Sequence, residues 1–325
     1  MASAETIARI VDSCTKENPC DLDVRFEEPM SAHSTFKAGG LADCYLRPSG
    51  DGFPVFATAL LAAARAEGVP VFILGGGANI LAADEGVRGI VLDIGGWAGE
   101  TGQRQGDGVV EFRSGTVLDD AAEIAAGAGL SGLEFLAGMP GSIGGAVWMN
   151  ARCYGCEIAD VLYETEIIDF STMPPERLRQ RADRGEFGYK RSPFQGRGNL
   201  ILSASFSLKP ADEQHVRAEM AAHRSDREGK GHYRFPSAGS VFKNNAAFGG
   251  PTGKIIDNLG LRGLRVGGAQ VAPWHGNIIV NTGGATATDI RRLVEDVAAQ
   301  VKDATGFDLE PEILFVGEWP NQAAG

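Results

Sequence analysis

A glycine-rich loop from Leu74 to Leu81, read as LGGGANIL, is the first feature of this sequence that suits a chemical role. Consecutive glycines can point several backbone N–H groups inward and form a nest for phosphate oxygens. Asn79 adds a side-chain donor to such a nest. The same pattern is also typical of a tight turn between two strands that holds no ligand, so this loop alone leaves both interpretations open.

The loop matches neither of the two common nucleotide-binding motifs. A Rossmann fingerprint needs Gly or Ala where Ile80 stands. The closest match to a Walker A loop has Phe248 in place of its first glycine and Ile255 in place of its hydroxyl residue. The pattern therefore excludes both standard loops and leaves a less common anion site or a plain turn.

A second glycine-rich run, from Gly138 to Ala146, favours a ligand. It offers more backbone amides, and Asn150 lies four residues beyond it. Two such loops in one half of the chain indicate an extended ligand, such as a dinucleotide held at its pyrophosphate and along its ring system. A glycine-rich packing turn remains the alternative.

The cysteines and histidines carry weaker signals. Five cysteines in a chain without an export signal argue against a disulfide framework. Cys153 and Cys156 have the spacing of a redox motif, but they follow an apolar glycine-rich run, which predicts two reduced, packed thiols and leaves redox or metal chemistry as the alternative. The five histidines are scattered, so no metal site is expected.

Composition limits the class of protein. The 325 residues include 30 basic and 42 acidic side chains, and this excess of negative charge argues against a nucleic-acid partner. Hydrophobic residues make up 43% and no apolar run is long enough for a membrane helix, as expected of a soluble chain with about two domains. Glycine accounts for 45 residues, about twice the usual ~7%.

Hydrophobic patterning predicts a mixed chain of helices and strands, with strand–helix alternation in the first half. There the expected elements are a helix at 54–68, strands at 71–75, 89–94 and 109–115, and a helix at 117–128. Later we expect a strand at 167–170, a short helix at 174–182, a strand at 199–208, a polar linking helix at 211–228, a helix near 252–259, and strands near 267–271 and 277–281. A final strand at 309–317 follows an amphipathic helix capped by Thr286 or Thr288 and carrying Ile290, Leu293, Val294, Val297 and Val301.

Seven motifs, taken in order, resemble the UDP-N-acetylenolpyruvoylglucosamine reductase (MurB) family along nearly the whole chain. They are STFKAGG (34–40), LGGGANIL (74–81), GLEFLAGMPGSIGGAVWMNA (132–151), FGYKRSPF (187–194), PSAGSVFKN (236–244), GGAQV (267–271) and LEPE (309–312). The short distance from FGY to PSAGS resembles the branch that lacks an extra substrate-side loop and insertion.

The resemblance implies an α+β and α/β fold: an FAD-binding region of the PCMH type, related to vanillyl-alcohol oxidase, and a C-terminal α+β substrate domain. The expected boundaries are an N-terminal segment at 1–30, a flavin region of two subdomains at 31–209, split near 88, and a UDP-sugar domain at 210–325. FAD would be bound non-covalently by the two glycine loops. The residues concerned are Leu74, Gly75, Gly76, Gly77, Ala78, Asn79, Ile80, Gly138, Pro140, Gly141, Ser142, Gly144, Gly145 and Asn150.

The implied reaction passes hydride from NADPH through the flavin to the vinyl ether of UDP-N-acetylglucosamine enolpyruvate. Charge then develops on the enolpyruvyl carboxylate, so a proton donor and charge-stabilising groups are needed. Ser240 matches the family's proton donor, and Glu312 matches its catalytic glutamate. Lys190 stands where the family normally has arginine, and it lacks the two-pronged geometry of a guanidinium.

Tyr189 matches a substrate-contacting tyrosine of the family, and Asn244 matches a UDP-contacting polar residue. Lys243 could offset diphosphate charge, and Arg191 and His275 complete the expected substrate-binding residues. Arg191 could take over the role of the family arginine in place of Lys190. A second departure is Arg152-Cys153, where the family usually reads Gly-Ala, and side chains added there could alter access to the flavin.

Two other functions remain as alternatives. One is an FAD-linked oxidase of the same fold, with covalent flavin at His33 or Cys153; the motifs around Ser240 and Glu312 argue against it. The other is a non-catalytic flavin- or nucleotide-binding paralogue, suggested by Lys190. For the reductase we expect a cytoplasmic bacterial enzyme with small-molecule partners and no nucleic-acid or membrane partner. The sequence does not predict the oligomeric state, although a monomer is favoured.

Overall fold

The computed structural model describes residues 3–104 and 108–319, which fall into two units. Unit 1 contains the residues up to 26 together with 44–76 and 89–225. Unit 2 contains 27–43, 77–88 and the residues from 226 onward. The units are therefore discontinuous in sequence, whereas the predicted domains are continuous. The predicted boundaries also assign flavin binding to one region and UDP-sugar binding to another. That assignment stays a prediction.

The helices and strands confirm the mixed pattern that the sequence predicts. In the first half they are α1 (Ala4–Glu17), β1 (Asp21–Pro29), β2 (Leu41–Ser49), α2 (Phe53–Ala66), β3 (Val71–Leu74), β4 (Ile80–Ala82), β5 (Val87–Asp93), β6 (Glu100–Arg104), β7 (Val109–Arg113), α3 (Leu118–Gly127), β8 (Leu130–Ser131), α4 (Ile143–Met149), β9 (Arg152–Cys153), β10 (Cys156–Glu157), α5 (Ile158–Val161) and β11 (Leu162–Asp169). They continue with β12 (Glu176–Arg181), β13 (Asn199–Ser207), β14 (Lys209–Pro210), α6 (Glu213–Gly229), α7 (Thr252–Asn258), β15 (Arg265–Val266), β16 (Ala269–Val271), β17 (Ile279–Asn281), α8 (Ala287–Thr305) and β18 (Leu314–Val316). Among the residues described, no helix is long and apolar enough to cross a membrane.

Unit 1 contains two hydrophobic cores. In one, α1 and α2 pack together, and α2 buries an apolar face that includes Phe53, Phe56 and Leu60. Strand β3 pairs in parallel with β5 in a sheet of order β1-β2-β5-β3, some of whose strands cross the unit boundaries along the chain. The other core lies against an antiparallel sheet of order β12-β11-β13-β7-β6 and includes α3 and α4. The first glycine-rich loop begins where β3 ends, and the second leads into α4.

The predicted short helix at 174–182 is wrong, because most of this segment forms the edge strand β12 paired with β11. Alternate arginines of β12 pair with acidic side chains across the sheet: Arg179 Nη2 lies 2.9 Å from Glu166 Oε2, and Arg181 Nε lies 3.3 Å from Glu164 Oε2. These arginines recur every second residue, the period of a strand. Cross-strand ion pairs and backbone hydrogen bonds to β11 therefore stabilise this segment as a strand, although its local sequence favours a helix.

Helix α6 is confirmed, but its first part packs on unit 1 and does not serve as a free linker. Val216 and Met220 are buried in the core that contains α3. On the same helix, Arg224 Nη2 lies 2.9 Å from Asp119 Oδ1 and 2.6 Å from Glu123 Oε1, both on α3. These contacts assign the helix to unit 1 as far as residue 225.

Unit 2 contains an antiparallel sheet of order β15-β16-β17 and the parallel pair β18-β4. The predicted apolar stripe of α8 is buried in its core. Thr286 caps the helix, with its hydroxyl accepting the Asp289 amide at 3.0 Å. Asp84 accepts two further amides of the first turn, from Ala287 and Thr288. The predicted final strand is shorter than expected, because only 314–316 pair with β4 and LEPE precedes them.

Candidate active site

Ser240 and Glu312 lie on neighbouring antiparallel segments of unit 2. The amide of Glu312 donates to the carbonyl of Val241 at 2.7 Å, and the amide of Lys243 donates to Glu310 at 2.9 Å. Phe242 and Pro311 face each other in an isolated bridge between the same segments. Both predicted catalytic side chains are partly exposed. The structure thus holds these two residues, which are distant in sequence, on adjoining stretches of backbone.

Asn277 holds the other side of the Ser240 segment, and sequence reasoning missed it. Its side chain accepts the Phe242 amide at 2.9 Å and donates to the Phe242 carbonyl at 2.8 Å. Its own carbonyl accepts the Val241 amide at 2.9 Å, and Ser240 forms a bridge with Ile278. Asn277 is 3% exposed, so these bonds are shielded from water. The signal in the sequence was a polar residue directly before the apolar run of β17.

The predicted substrate contacts of unit 2 surround this segment. Lys243 Nζ lies 2.5 Å from Glu310 Oε1 in an exposed ion pair. The side-chain oxygen of Asn244 accepts the Thr252 amide at 2.9 Å. His275 is half-buried, and its Nδ1 accepts the Asn277 amide at 3.1 Å. Burial lowers the pKa of His275, so its neutral form is favoured.

In unit 1 the two glycine loops touch each other. A Cβ on Gly76 would lie 2.6 Å from the Cα of Gly141, and one on Gly75 would lie 2.7 Å from Ser142 Oγ. Real side chains do not approach so closely, so the residues at these positions must be glycine for the loops to meet. Over the described part of the chain, the amides of Gly76, Gly141 and Ser142 donate to no acceptor. Adjacent free amides of this kind fit the anionic pyrophosphate of a dinucleotide.

The rest of the first loop belongs to unit 2. There a Cβ on Gly77 would lie 1.9 Å from the carbonyl oxygen of His33, so this glycine also permits a close backbone approach. Ile80 begins β4 and pairs with Leu314. The side chain of Asn79 donates to the carbonyl of Glu312 at 3.0 Å. The predicted contact of Asn79 with FAD stays a prediction; in the structure its side-chain amide bonds to the backbone of a predicted catalytic residue.

Several predicted flavin contacts of the second loop bond within unit 1. The amide of Gly138 donates to Asp119 Oδ1 at 2.7 Å, and that of Gly144 donates to the Ser114 carbonyl at 2.7 Å. Ser142 caps α4, with its hydroxyl accepting the Gly145 amide at 3.4 Å. These groups shape the loop, whereas the amides of Gly141 and Ser142 donate to no acceptor among the described residues. Pro140 precedes Gly141 in the same loop.

Asn150 has a structural position that the sequence did not predict. It ends α4 in the left-handed conformation and is fully buried. Its side chain donates to the Gly188 carbonyl at 2.9 Å and accepts the Ala159 amide at 3.0 Å. Both ends of the amide group therefore bond to the chain. The residue connects α4 to the segment that carries Lys190.

Lys190 lies at the tip of a tight turn. Gly188 and Arg191 exchange two backbone hydrogen bonds of 3.0 Å, which leaves Tyr189 and Lys190 as the turn residues. Lys190 has a positive φ of 56°, and Tyr189 is 40% exposed. Gln195 supports the turn by donating from its side-chain nitrogen to the Lys190 carbonyl at 3.2 Å. The Arg191 side chain is exposed and runs beside Gly188.

Comparison with known proteins adds independent findings. Residues 231–316 match the C-terminal domain of UDP-N-acetylenolpyruvoylglucosamine reductase, and residues 57–172 match an FAD binding domain. The UDP-N-acetylenolpyruvoylglucosamine reductase of Treponema denticola is 38% identical, with 91% of this chain and 94% of the relative covered. The reductase of Treponema pallidum is 40% identical, with coverages of 89% and 92%. The crystal structure of the reductase (MurB) from Thermus caldophilus superimposes with a TM-score of 0.72 at 31% identity, covering 93% of this chain and all of the other.

Proposed function

This chain belongs to the UDP-N-acetylenolpyruvoylglucosamine reductase family, and on this premise we propose that it reduces UDP-N-acetylglucosamine enolpyruvate to UDP-N-acetylmuramate. The reaction uses NADPH and FAD and forms a precursor of peptidoglycan. Bound FAD supplies hydride transfer between NADPH and the enolpyruvyl double bond. The expected fold, an FAD-binding region with a C-terminal α+β domain, is confirmed by the two domain matches and the Thermus structure.

The pairing of the Ser240 and Glu312 segments is the observation that carries the proposal. Hydride addition to the terminal carbon places negative charge on the enolpyruvyl group, and the neighbouring carbon must then receive a proton. We propose that the Ser240 hydroxyl donates this proton and that Glu312 acts as the second acidic group. A serine is a weak acid in water, so it needs a rigid position. The Asn277 bonds to Val241 and Phe242 supply that rigidity.

Lys190 is proposed to hold the developing charge of the substrate carboxylate. The turn that carries it is held from both sides, by the Gly188–Arg191 bonds and by Gln195. Lysine provides a point charge, whereas arginine would bind a carboxylate with two parallel hydrogen bonds. The exposed Arg191 is the competing candidate for the same role.

The free amides of Gly76, Gly141 and Ser142 are proposed to bind the FAD pyrophosphate without covalent attachment. Backbone N–H groups suit a phosphate because several of them, gathered in one concavity, direct their positive dipole ends at the anion. Gly75 acts by permitting the loops to pack closely, and Gly144 permits the second loop to pack against Ser114 and Ile94. Asn79 and Asn150 act through the backbone groups that they bind.

The remaining polar residues are proposed as contacts for the UDP-sugar. Lys243 would offset diphosphate charge, and its exposed pairing with Glu310 can be exchanged for a stronger phosphate contact because surface ion pairs contribute little. Tyr189, Asn244 and His275 complete the proposed set. We further propose that the enzyme works as a monomer in the bacterial cytoplasm, where nucleotide sugars and NADPH are available; sedimentation of the holoenzyme tests the monomer.

Anaerobic flavin spectroscopy tests the function. NADPH should bleach the flavin absorbance of the holoenzyme, and UDP-N-acetylglucosamine enolpyruvate should then restore it rapidly. Restoration only by oxygen would contradict the reductase and favour an oxidase. Acid precipitation distinguishes that case further, since flavin held covalently at His33 or Cys153 would stay with the protein. If NADPH does not bleach the flavin and the enolpyruvyl substrate does not change its absorbance, the protein would be a non-catalytic paralogue.

A further inference from the structure

Cys153 and Cys156 face each other across a two-residue hairpin loop. They are directly opposed partners of the antiparallel strands β9 and β10. The loop residues Tyr154 and Gly155 have positive φ angles of 52° and 83°, as in a type I′ turn. Directly opposed residues in such a pair have Cα atoms about 4.5–5.5 Å apart. This separation lies within the roughly 4.4–6.8 Å that disulfides span, so the register of the hairpin places the two cysteines within reach of an S–S bond.

The two thiols differ in accessibility. Cys156 is exposed and Cys153 is partly buried against the core of unit 1, and both are free thiols. The prediction of two packed thiols is therefore wrong for Cys156. This difference suits a two-step reaction. The exposed Cys156 first reacts with an external disulfide, and Cys153 then displaces the group that has become attached to Cys156. By contrast, Cys14 and Cys44 are buried.

Neighbouring contacts hold the hairpin in register. The Tyr154 ring stacks on the His223 ring with centroids 3.9 Å apart, and its hydroxyl donates to the His223 carbonyl at 3.1 Å. At the other end, the Glu157 amide donates to Asp160 Oδ2 at 2.9 Å, and the Glu157 carboxylate pairs with Arg184 at 2.5 Å. The two cysteines are thus fixed as neighbours, which favours ring closure over reaction with a second external thiol.

We propose that Cys153 and Cys156 form a reversible intramolecular disulfide by exchange with a small disulfide such as glutathione disulfide. The Cys156 thiolate attacks one sulfur of glutathione disulfide, whose S–S bond breaks as one glutathione thiolate leaves. The Cys153 thiolate then attacks Cys156 Sγ and expels the second glutathione. Two protein thiols are oxidised, one small disulfide is reduced to two thiols, and the two cysteine protons pass to the departing thiolates.

The surroundings of Cys156 set the conditions of the test. Burial, followed by the negative charges of Asp160, Glu134 and Glu219, raises the pKa of the Cys156 thiol. These acidic groups come from α5, from the turn before the second glycine loop and from α6. Because the thiolate is the reacting species, exchange is slow at neutral pH and faster in mildly alkaline buffer.

The test uses reduced full-length holoenzyme, equilibrated anaerobically at pH about 8.5 in mixtures of reduced and oxidised glutathione. After acid quenching, free thiols are alkylated in denaturant, and the tryptic peptide that begins at Cys153 is weighed. As oxidised glutathione increases, the doubly alkylated peptide should be replaced by one lighter than the dithiol by two hydrogen atoms. Cys20, a partly buried free thiol outside the β9–β10 hairpin, serves as the internal control and should remain alkylated.

Single variants test the order of the two steps. Cys153→Ser should accumulate a mixed disulfide between Cys156 and glutathione, because the displacing thiol is absent. Cys156→Ser should leave Cys153 largely alkylated. The proposal is overturned by a mixed disulfide that persists at Cys156 in the unmodified protein, by a disulfide joining two chains, or by full alkylation at the highest proportion of oxidised glutathione. None of these readouts depends on reductase activity.

Discussion

The backbone amide of Glu312 donates a 2.7 Å hydrogen bond to the carbonyl of Val241, the residue that follows Ser240. A second bond, from the Lys243 amide to Glu310, continues the pairing. The segments carrying the two predicted catalytic residues are therefore fixed to each other through the main chain. Substitutions of their side chains should leave this pairing intact, so the effects of such changes on chemistry can be read separately from effects on folding.

Ser240→Ala should slow only the second half-reaction. Reduction of the flavin by NADPH precedes the step that needs the proton, so it should stay within a few-fold of the normal rate. Reoxidation by the enolpyruvyl substrate should fall about 10²–10⁴-fold, the usual contribution of a positioned proton donor. Stopped-flow absorbance measures both rates. Ser237→Ala, in the same loop, is the control, and equal slowing of both half-reactions by Ser240→Ala would indicate a structural role.

Asn277→Ala should weaken the positioning of Ser240 as well as stability. The buried amide and carbonyl of Phe242 would lose their partners, at a cost of about 1–3 kcal/mol in the free energy of unfolding. Reoxidation by the substrate should slow more than reduction by NADPH. Asn245→Ala, which removes an exposed bond to Ala247, is the matched control.

Lys190→Arg should maintain or raise turnover if position 190 holds the substrate carboxylate, because arginine binds it through two hydrogen bonds. Lys190→Ala should then reduce turnover much more than Arg191→Ala. Steady-state kinetics with both variants measures the difference. If Lys190→Ala leaves turnover unchanged and Arg191→Ala reduces it strongly, Arg191 and not Lys190 holds the substrate carboxylate.

Gly76→Ala should reduce flavin retention, because its Cβ would lie 2.6 Å from the Gly141 backbone and push the loops apart. The FAD:protein ratio after gel filtration, together with the dissociation constant on reconstitution, measures this loss. Gly127→Ala is the control in the same unit, since its nearest contact is the flexible end of Arg217 at 3.6 Å. Normal retention in Gly76→Ala would contradict the proposed site.

Stability should decrease as pH falls below about 6.5, partly through His232. Burial, with smaller contributions from Arg227, His275 and Lys230, lowers the pKa of His232 to about 4 from its ordinary value of 6.5. Between these values the unfolded chain binds more protons than the folded one, so the free energy of unfolding rises with pH in this window. Between pH 5 and pH 7 the melting temperature should change less in His232→Gln than in the unmodified protein. The exposed His215→Gln is the control, and an unchanged slope in His232→Gln would contradict the prediction.

Much of the architecture was predictable because local patterns repeat over many residues. The stripe of α8 follows one helical hydrophobic period, α2 is rich in Ala and Leu, and β3 and β5 are short apolar runs. The family assignment came from seven short motifs in order and is supported by the matches to known reductases. Segment 174–182 was misread because its state depends on acidic partners on β11 and not on its own helix propensity.

The sequence by itself determined which residue types are available for chemistry: two glycine loops, the Ser240 and Glu312 motifs, and Lys190 at the position where the resemblance predicts an arginine. Only the tertiary structure decided what each polar group binds. Asn79 and Asn150 bond to distant backbone groups, and Asn277, which no motif indicated, fixes the Ser240 segment. The physical reason is that a side-chain amide serves a ligand or the main chain according to which acceptor folding brings within about 3 Å, and sequence spacing does not contain that distance.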